Sequence, residues 1–219
     1  MTATLRPLDP PHKGLRNALS ILSLRIGVTD FGDADSVASL QGLADEVFLL
    51  LEDHALMEDT HVLAPLEQRI PGSSRGDLSD HEVLEARVDE LRRRLHGFDG
   101  TQDDEAGQGF LLEFTDFHAD YLKHMLAEER ITEPLVRDNF SDEELLADQV
   151  AISQEMPFEV LLLWFKYIVP ARRVAENAQV LQGFKAAAPP EVFTQVTELL
   201  RDTLTSSAYE DLMARVADG

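Results

Sequence analysis

The amino-acid sequence predicts an all-α protein: an up-down-up-down four-helix bundle over about residues 10–138, followed by a helical extension over residues 141–219. Three observations carry this expectation. The long polar stretches are rich in Ala, Leu, Glu and Arg, all good helix formers, while the 219 residues include only three Tyr and one Trp. Apolar residues recur at steps of three and four, the period of a helix with one buried face. Finally, Leu51–Leu66 (LEDHALMEDTHVLAPL) and Tyr121–Leu135 (YLKHMLAEERITEPL) share one design: a His, a Glu four residues later, then a Pro-Leu pair.

Composition narrows the functional classes. The chain is 44% hydrophobic, enough for a sizeable core. Its formal net charge is -22. So acidic a surface repels phosphate backbones and anionic lipid, so neither nucleic acid nor membrane is an expected partner. There is no cysteine, which excludes disulfides, thiolate metal sites and thiol nucleophiles. The opening MTATLRPLDPP lacks an apolar stretch of the kind that directs secretion. The longest apolar run, Val160–Val169, is interrupted by Lys166 and too short to span a bilayer. The expected location is cytoplasmic.

In chain order, Asp9-Pro10-Pro11 reads as a helix start, with Asp9 as cap and Pro in the first turn. The first helix runs to Val28 with Leu15, Leu19, Leu22 and Ile26 on one stripe, and His12 heads that stripe. Thr29–Asp35 is a connection. The second helix covers about Ser36–Leu66, with Leu40, Leu43, Val47, Leu50, Leu51, His54 and Glu58 near one face; Pro65 is expected to kink or end it. Arg69–Asp77 is a loop. Ser79 and Glu82 form a capping box that starts the third helix, with His81 in its first turn and Gly97 as the stop signal. After the loop Asp99–Asp103, the fourth helix runs from Asp104 to about Val136.

The extension begins with a Ser141/Glu144 capping box and a helix over Asp142–Gln154. An apolar segment follows, Phe158–Val169, which Pro170 is expected to kink or break. Helices are expected over Arg172–Phe184, Glu191–Leu204 and Ser207–Val216, the last with a Ser207/Glu210 capping box. No catalytic signature falls in this segment. Its expected role is to pack on the bundle or to mediate a homo-oligomer.

Positions i and i+4 of a helix share a face, so each His-x-x-x-Glu turn aims an imidazole and a carboxylate in one direction. Helix lengths then give a geometric test. His54 lies about 27 Å along its helix and His124 about 30 Å along its own, at 1.5 Å per residue. The first and third helices have about that length and run the opposite way. His12, His54, His81 and His124 therefore come level at one end of the bundle, joined by Glu58 and Glu128. Two bridging carboxylates and four imidazoles give each of two metal ions two nitrogens and two oxygens. That mixture points to iron, with manganese next and zinc as an alternative occupant in vitro. Ferritin-like bundles differ in using Glu-x-x-His at i, i+3.

The ordered set His12, His54-Ala55-Leu56-Met57-Glu58, His81, His124-Met125-Leu126-Ala127-Glu128 resembles the hemerythrin-like, HHE cation-binding family, whose bundle carries an H…HxxxE…H…HxxxE pattern. The resemblance spans about residues 10–138. It implies a non-haem di-iron site that binds or senses dioxygen, or handles peroxide, nitric oxide or iron. Two departures from the oxygen carriers of the family stand out. Where the carriers have a second His one turn after that of the third helix, this chain has Glu85. Where they place their last carboxylate five residues after the final His, this chain has Glu129, although Glu128 repeats the spacing of Glu58. Glu85 and Glu129 are therefore further candidate ligands, and an extra carboxylate moves weight from reversible oxygen carriage toward sensing or oxidase-like or peroxidatic chemistry.

The other notable residues have plainer readings. His61 is either a neighbour of the site or solvent-facing; His118, Glu52 and Asp53 read as surface; His96 suits a helix C-terminus; Tyr121 reads as a half-buried aromatic. Binding or sensing is the primary expectation. An oxidase, peroxidase or catalase is the first alternative, weakened by the lack of a dedicated proton donor, and a metal-free interaction module is the second.

Overall fold

The structure is a computed structural model and describes residues 5–218, so the first four residues of the opening stretch lie outside it. All regular secondary structure among the described residues is helical. Helix α1 (Asp9–Val28) starts with Pro10 and Pro11 in its first turn. Helix α2 (Ala34–Glu58) passes through a π-helical turn (Asp59–Leu63) directly into α3 (Ala64–Arg69). Helix α4 is Arg75–His96. Helix α5 (Asp104–Ala127) likewise runs through a π turn (Glu128–Thr132) into α6 (Glu133–Asn139). The extension holds α7 (Asp142–Glu155), α8 (Phe158–Ile168), a 3-10 turn (Val169–Ala171), α9 (Val174–Ala187), α10 (Pro190–Thr203) and α11 (Ser206–Ala217).

Helices α1, α2, α4 and α5 form the up-down-up-down bundle, each packed against two neighbours in a closed ring. Its core is built from the apolar stripes: Leu15, Leu19, Leu22 and Ile26 of α1; Leu40, Val47 and Leu50 of α2; Leu84, Val88, Leu91 and Leu95 of α4; Phe110, Phe114 and Phe117 of α5. The α4–α5 connection closes on α2: Gly100 has φ +87°, and a Cβ there would stand 2.4 Å from the Ala34 backbone. Only glycine meets both demands.

The extension does not stand apart. Trp164 and Tyr167 of α8 enter the bundle core, while Phe165 and Val169 anchor a second core with α9, α10 and α11. Asn17 of α1 donates to the Tyr167 carbonyl at 3.0 Å, and the Tyr167 hydroxyl donates to Glu46 of α2 at 2.9 Å. No described helix is long and apolar enough to cross a membrane.

Several boundaries differ from the sequence reading, each for a local reason. Helix α4 starts at Arg75, so Ser79 and Glu82 lie inside it and make no capping box, and His81 falls in the second turn. The start is fixed by contacts distant in sequence: Glu67 accepts from the Gly72 and Ser74 N–H groups, and the buried Ser74 hydroxyl donates to the Leu63 carbonyl. Pro65 does not end the helical run. Just before it, Ala64 N–H donates five residues back to Asp59, so the helix widens where the proline has no N–H to give. Pro134 follows the second π turn in the same way. Asp9 is not a cap but pairs with Lys13 at 2.8 Å. Helix α11 is capped by Thr205, which accepts from Ala208 N–H, and not by Ser207. The Ser141/Glu144 capping box is present as expected.

Candidate metal centre

Each bundle helix extends its apolar stripe by one or two polar residues at the same end: His12 from α1, His54 and Glu58 from α2, His81 from α4, His124 from α5. Glu128 opens the π turn that follows α5. None of the six is more than 5% exposed. The structure thus brings together all six residues singled out by spacing.

Glu128 sits at the middle. One carboxylate oxygen lies 3.3 Å from His12 Nε2; the other lies 3.4 Å from His81 Nε2 and 2.9 Å from His124 Nε2. Glu58 Oε2 is 3.1 Å from His54 Nε2. The ring pairs His12/His54 and His81/His124 meet edge to face, with centroids 5.1 and 4.8 Å apart. The donor atoms form two groups that share Glu128. One is His12, His54, Glu58 and Glu128; the other is His81, His124 and Glu128, and within each all ligand atoms lie within 4.8 Å of one another.

These approaches are not hydrogen bonds. The Nε2 atoms of all four imidazoles and both oxygens of both carboxylates are buried without a hydrogen-bond partner. Polar atoms enclosed this way cost free energy unless something satisfies them, and a cluster of lone pairs facing one point suits a cation.

Carboxylates behind the rings set their orientation. His12 Nδ1 lies 3.0 Å from Glu129, which Arg16 grips through two nitrogens at 2.7 and 2.9 Å. His81 Nδ1 lies 2.6 Å from Asp59. An Nδ1–H donated to a carboxylate leaves the Nε2 lone pair free for a metal. Asp80, 3.7 Å from His124 Nδ1, is too distant for such a bond.

The electrostatics follow from this crowding. Burial pushes the His12 imidazole down, but Glu128 and Glu129 outweigh it and hold it above its ordinary value. Burial and the neighbouring His12 hold His54 well below. Burial, then the Glu128 charge, push the Glu58 carboxyl well up. Burial would raise Glu128 too, yet His12, His124 and His81 keep it well below the usual carboxylate range. Glu129 is drawn down to about 2, first by His12 and then by Arg16, against partial desolvation.

The remaining candidates fall outside the two donor groups. Glu85 is exposed on α4, next to a small recess it shares with Tyr121. Glu129 turns away to His12 Nδ1 and Arg16. Tyr121 is fully buried, its ring edge-on to His124 at 5.9 Å. His61 lies 3.4 Å from Glu155, and His96 pairs with Asp45 at 2.8 Å. Two surface expectations are corrected. Asp53 is partly buried because it accepts the Trp164 indole N–H at 2.7 Å. His118 is partly buried against the Phe114 ring, with Nε2 enclosed and unpartnered.

Asp59 and Arg16 were not recognised from the sequence. A signal for Asp59 was present: each His-x-x-x-Glu is followed at once by a second acid, Asp59 after Glu58 and Glu129 after Glu128. In both cases that second acid reaches the lone His of a different helix. No comparable signal marked Arg16.

A four-helix bundle whose polar end buries paired imidazoles and a shared carboxylate defines a cation-binding bundle protein. The family model for the hemerythrin HHE cation-binding domain matches residues 4–136, and the chain belongs to that family. Among curated proteins, a zinc finger protein BRUTUS-like from Arabidopsis thaliana is 24% identical over 187 residues. The match covers 84% of this chain but only 15% of that protein. No solved structure matches.

Proposed function

We propose that this chain is a non-haem di-iron protein, with His12, His54, His81 and His124 as imidazole ligands and Glu58 and Glu128 as carboxylate ligands. Its centre binds or senses dioxygen, a related small molecule such as peroxide or nitric oxide, or iron itself. The observation behind this reading is the set of buried, unpartnered Nε2 and carboxylate atoms that face one another. Their separations, 2.9 to 3.4 Å for the pairs given above, are those of adjacent ligands on one ion, because two bonds of about 2.1 Å at a right angle put their ends about 3 Å apart. Imidazole with carboxylate favours iron, then manganese, and zinc in vitro.

An iron pair bound there would supply redox chemistry toward dioxygen and its relatives. The chain's own residues supply the rest. Glu129 and Asp59 fix the tautomers of His12 and His81. Arg16 holds Glu129 in place. The apolar stripe beneath the site excludes bulk water from one side. A cytoplasmic location and self-association through the extension belong to the same reading.

The test is metal content together with an optical spectrum after anaerobic loading with ferrous iron and exposure to air. The expected result is about two irons per chain, matching the two donor groups, with near-ultraviolet charge-transfer absorption. Refusal of iron by a folded protein would sink the reading and favour a metal-free interaction module. Peroxide turnover by the iron-loaded protein, absent in His54→Ala, would instead establish the enzyme alternative.

A further inference from the structure

A cavity of about 250 Å³ lies between the bundle and the extension. Its walls come from five helices and the first π turn: Pro11 of α1, Met57 of α2, Val62 of the π turn, Val136 of α6, Ile152 of α7, and Trp164 of α8. One end is formed by His54 and Glu58, and both Glu58 oxygens are buried and unpartnered. The extension thus builds a chamber against the polar end of the bundle instead of sealing it.

We propose that this chamber is a binding site for a neutral, mainly aliphatic small molecule with one compact polar end, of the size and character of a medium-chain alcohol. Three observations select that class. First, the walls are overwhelmingly apolar, so burial of a hydrocarbon drives binding. Second, the acidic side chains at the cavity are Asp53, Glu58 and Asp148, and no Lys or Arg lines it. A fatty-acid carboxylate would therefore enter an acidic chamber with no cation to receive it, at the cost of desolvating its charge. Third, a cavity of about 150 Å³ accommodates benzene, so this one holds on the order of ten non-hydrogen atoms. Asp53 is already engaged by the Trp164 indole, and His54 and Glu58 serve the proposed metal centre, which leaves His61, Asp148, Gln149 and Ser153 to meet the ligand's polar end.

Trp164 is the chain's sole tryptophan and lines the chamber, so its emission reports occupancy directly. The experiment titrates linear alcohols from hexan-1-ol to dodecan-1-ol, and decanoate, into the 219-residue protein, both metal-free and zinc-loaded. Saturable emission changes are expected, tightening by about fourfold per methylene until the chamber is full. Decanoate should bind at least about tenfold more weakly than decan-1-ol. Ile152→Phe should fill the chamber and weaken decan-1-ol binding by about tenfold or more, with the circular dichroism unchanged. Ile152→Ala should move the length limit to longer chains, and it carries the test if the Phe variant misfolds. Absence of saturation, a response without a length limit, insensitivity to both variants, or decanoate binding as tightly as decan-1-ol would each overturn the proposal. Alcohol binding without metal uptake would refute the di-iron reading alone; metal uptake without alcohol binding would refute this one alone.

Discussion

Single residues behind the site decide how its ligand atoms point. Glu129 and Asp59 each sit one residue after a cluster carboxylate, yet each serves an imidazole of another helix. Each fixes its ring with Nε2 toward the centre, and Arg16 keeps Glu129 from relaxing away. Loss of such an outer partner typically lowers metal affinity 10- to 100-fold without removing a ligand. Glu129→Gln and Asp59→Asn are therefore expected to keep about two metals per chain at saturation while weakening uptake by about 10- to 100-fold, measured by competition with a chelator. Complete loss of one metal in Glu129→Gln would mean that Glu129 is itself a ligand.

At the level of elements, two π turns flank the centre, one just after Glu58 and one beginning at Glu128, and each ends two residues before a proline. A widened turn lets the helical run continue past a residue with no N–H, so the segments beyond the prolines stay helical. There Leu66, Val136 and Leu145 pack together. Contact between α1 and α8 depends on a small residue: a Cβ on Gly14 would stand 2.7 Å from the Ile168 side chain. Gly14→Val is expected to push α8 outward and to destabilise the protein by about 1–3 kcal/mol, measured by chemical denaturation. A variant as stable as the parent would show that the two helices yield freely.

For the molecule as a whole, α8 belongs to two cores. We propose that residues 10–138 hold the centre and that residues 141–219 brace it through this helix. Trp164→Ala should then cost about 3–5 kcal/mol, since it empties a buried site and strips Asp53 of its donor. A chain ended after Phe140 should melt at a lower temperature than the full chain; equal melting would show that the bundle needs no brace. Arg69 of α3 joins Glu144 of α7 across the same junction, and this ion pair, with the Ser141 backbone N–H, draws the Glu144 carboxyl down to about 2. A depressed carboxyl stabilises the fold above its unfolded value near 4.5 and loses that contribution as pH falls toward 2. The stability difference between the parent and Glu144→Gln should therefore be full at pH 6 and shrink steadily below pH 4.5, as read from denaturation midpoints. A constant difference across that range would rule out the ion pair as its source.

The sequence by itself determined the helices and the six residues that meet at the polar end, because both rest on local periodicity. Residues three and four apart share a helix face whatever surrounds them, so the stripe that buries Leu15 and Leu19 also buries His12, and His54 necessarily stands over Glu58. Helix lengths then brought the four imidazoles level. The tertiary structure alone decided what depends on partners remote in the chain. It chose Glu128 over Glu129 for the centre, because Arg16 and His12 Nδ1 claim the latter. It moved the start of α4 to Arg75, because Glu67 and Leu63 supply the hydrogen bonds there. It drew Asp53 inward to meet Trp164, a residue 111 positions away. And it set α7 and α8 far enough from His54 and Glu58 to leave a chamber, since helix packing distances follow from side chains that meet only in the folded molecule.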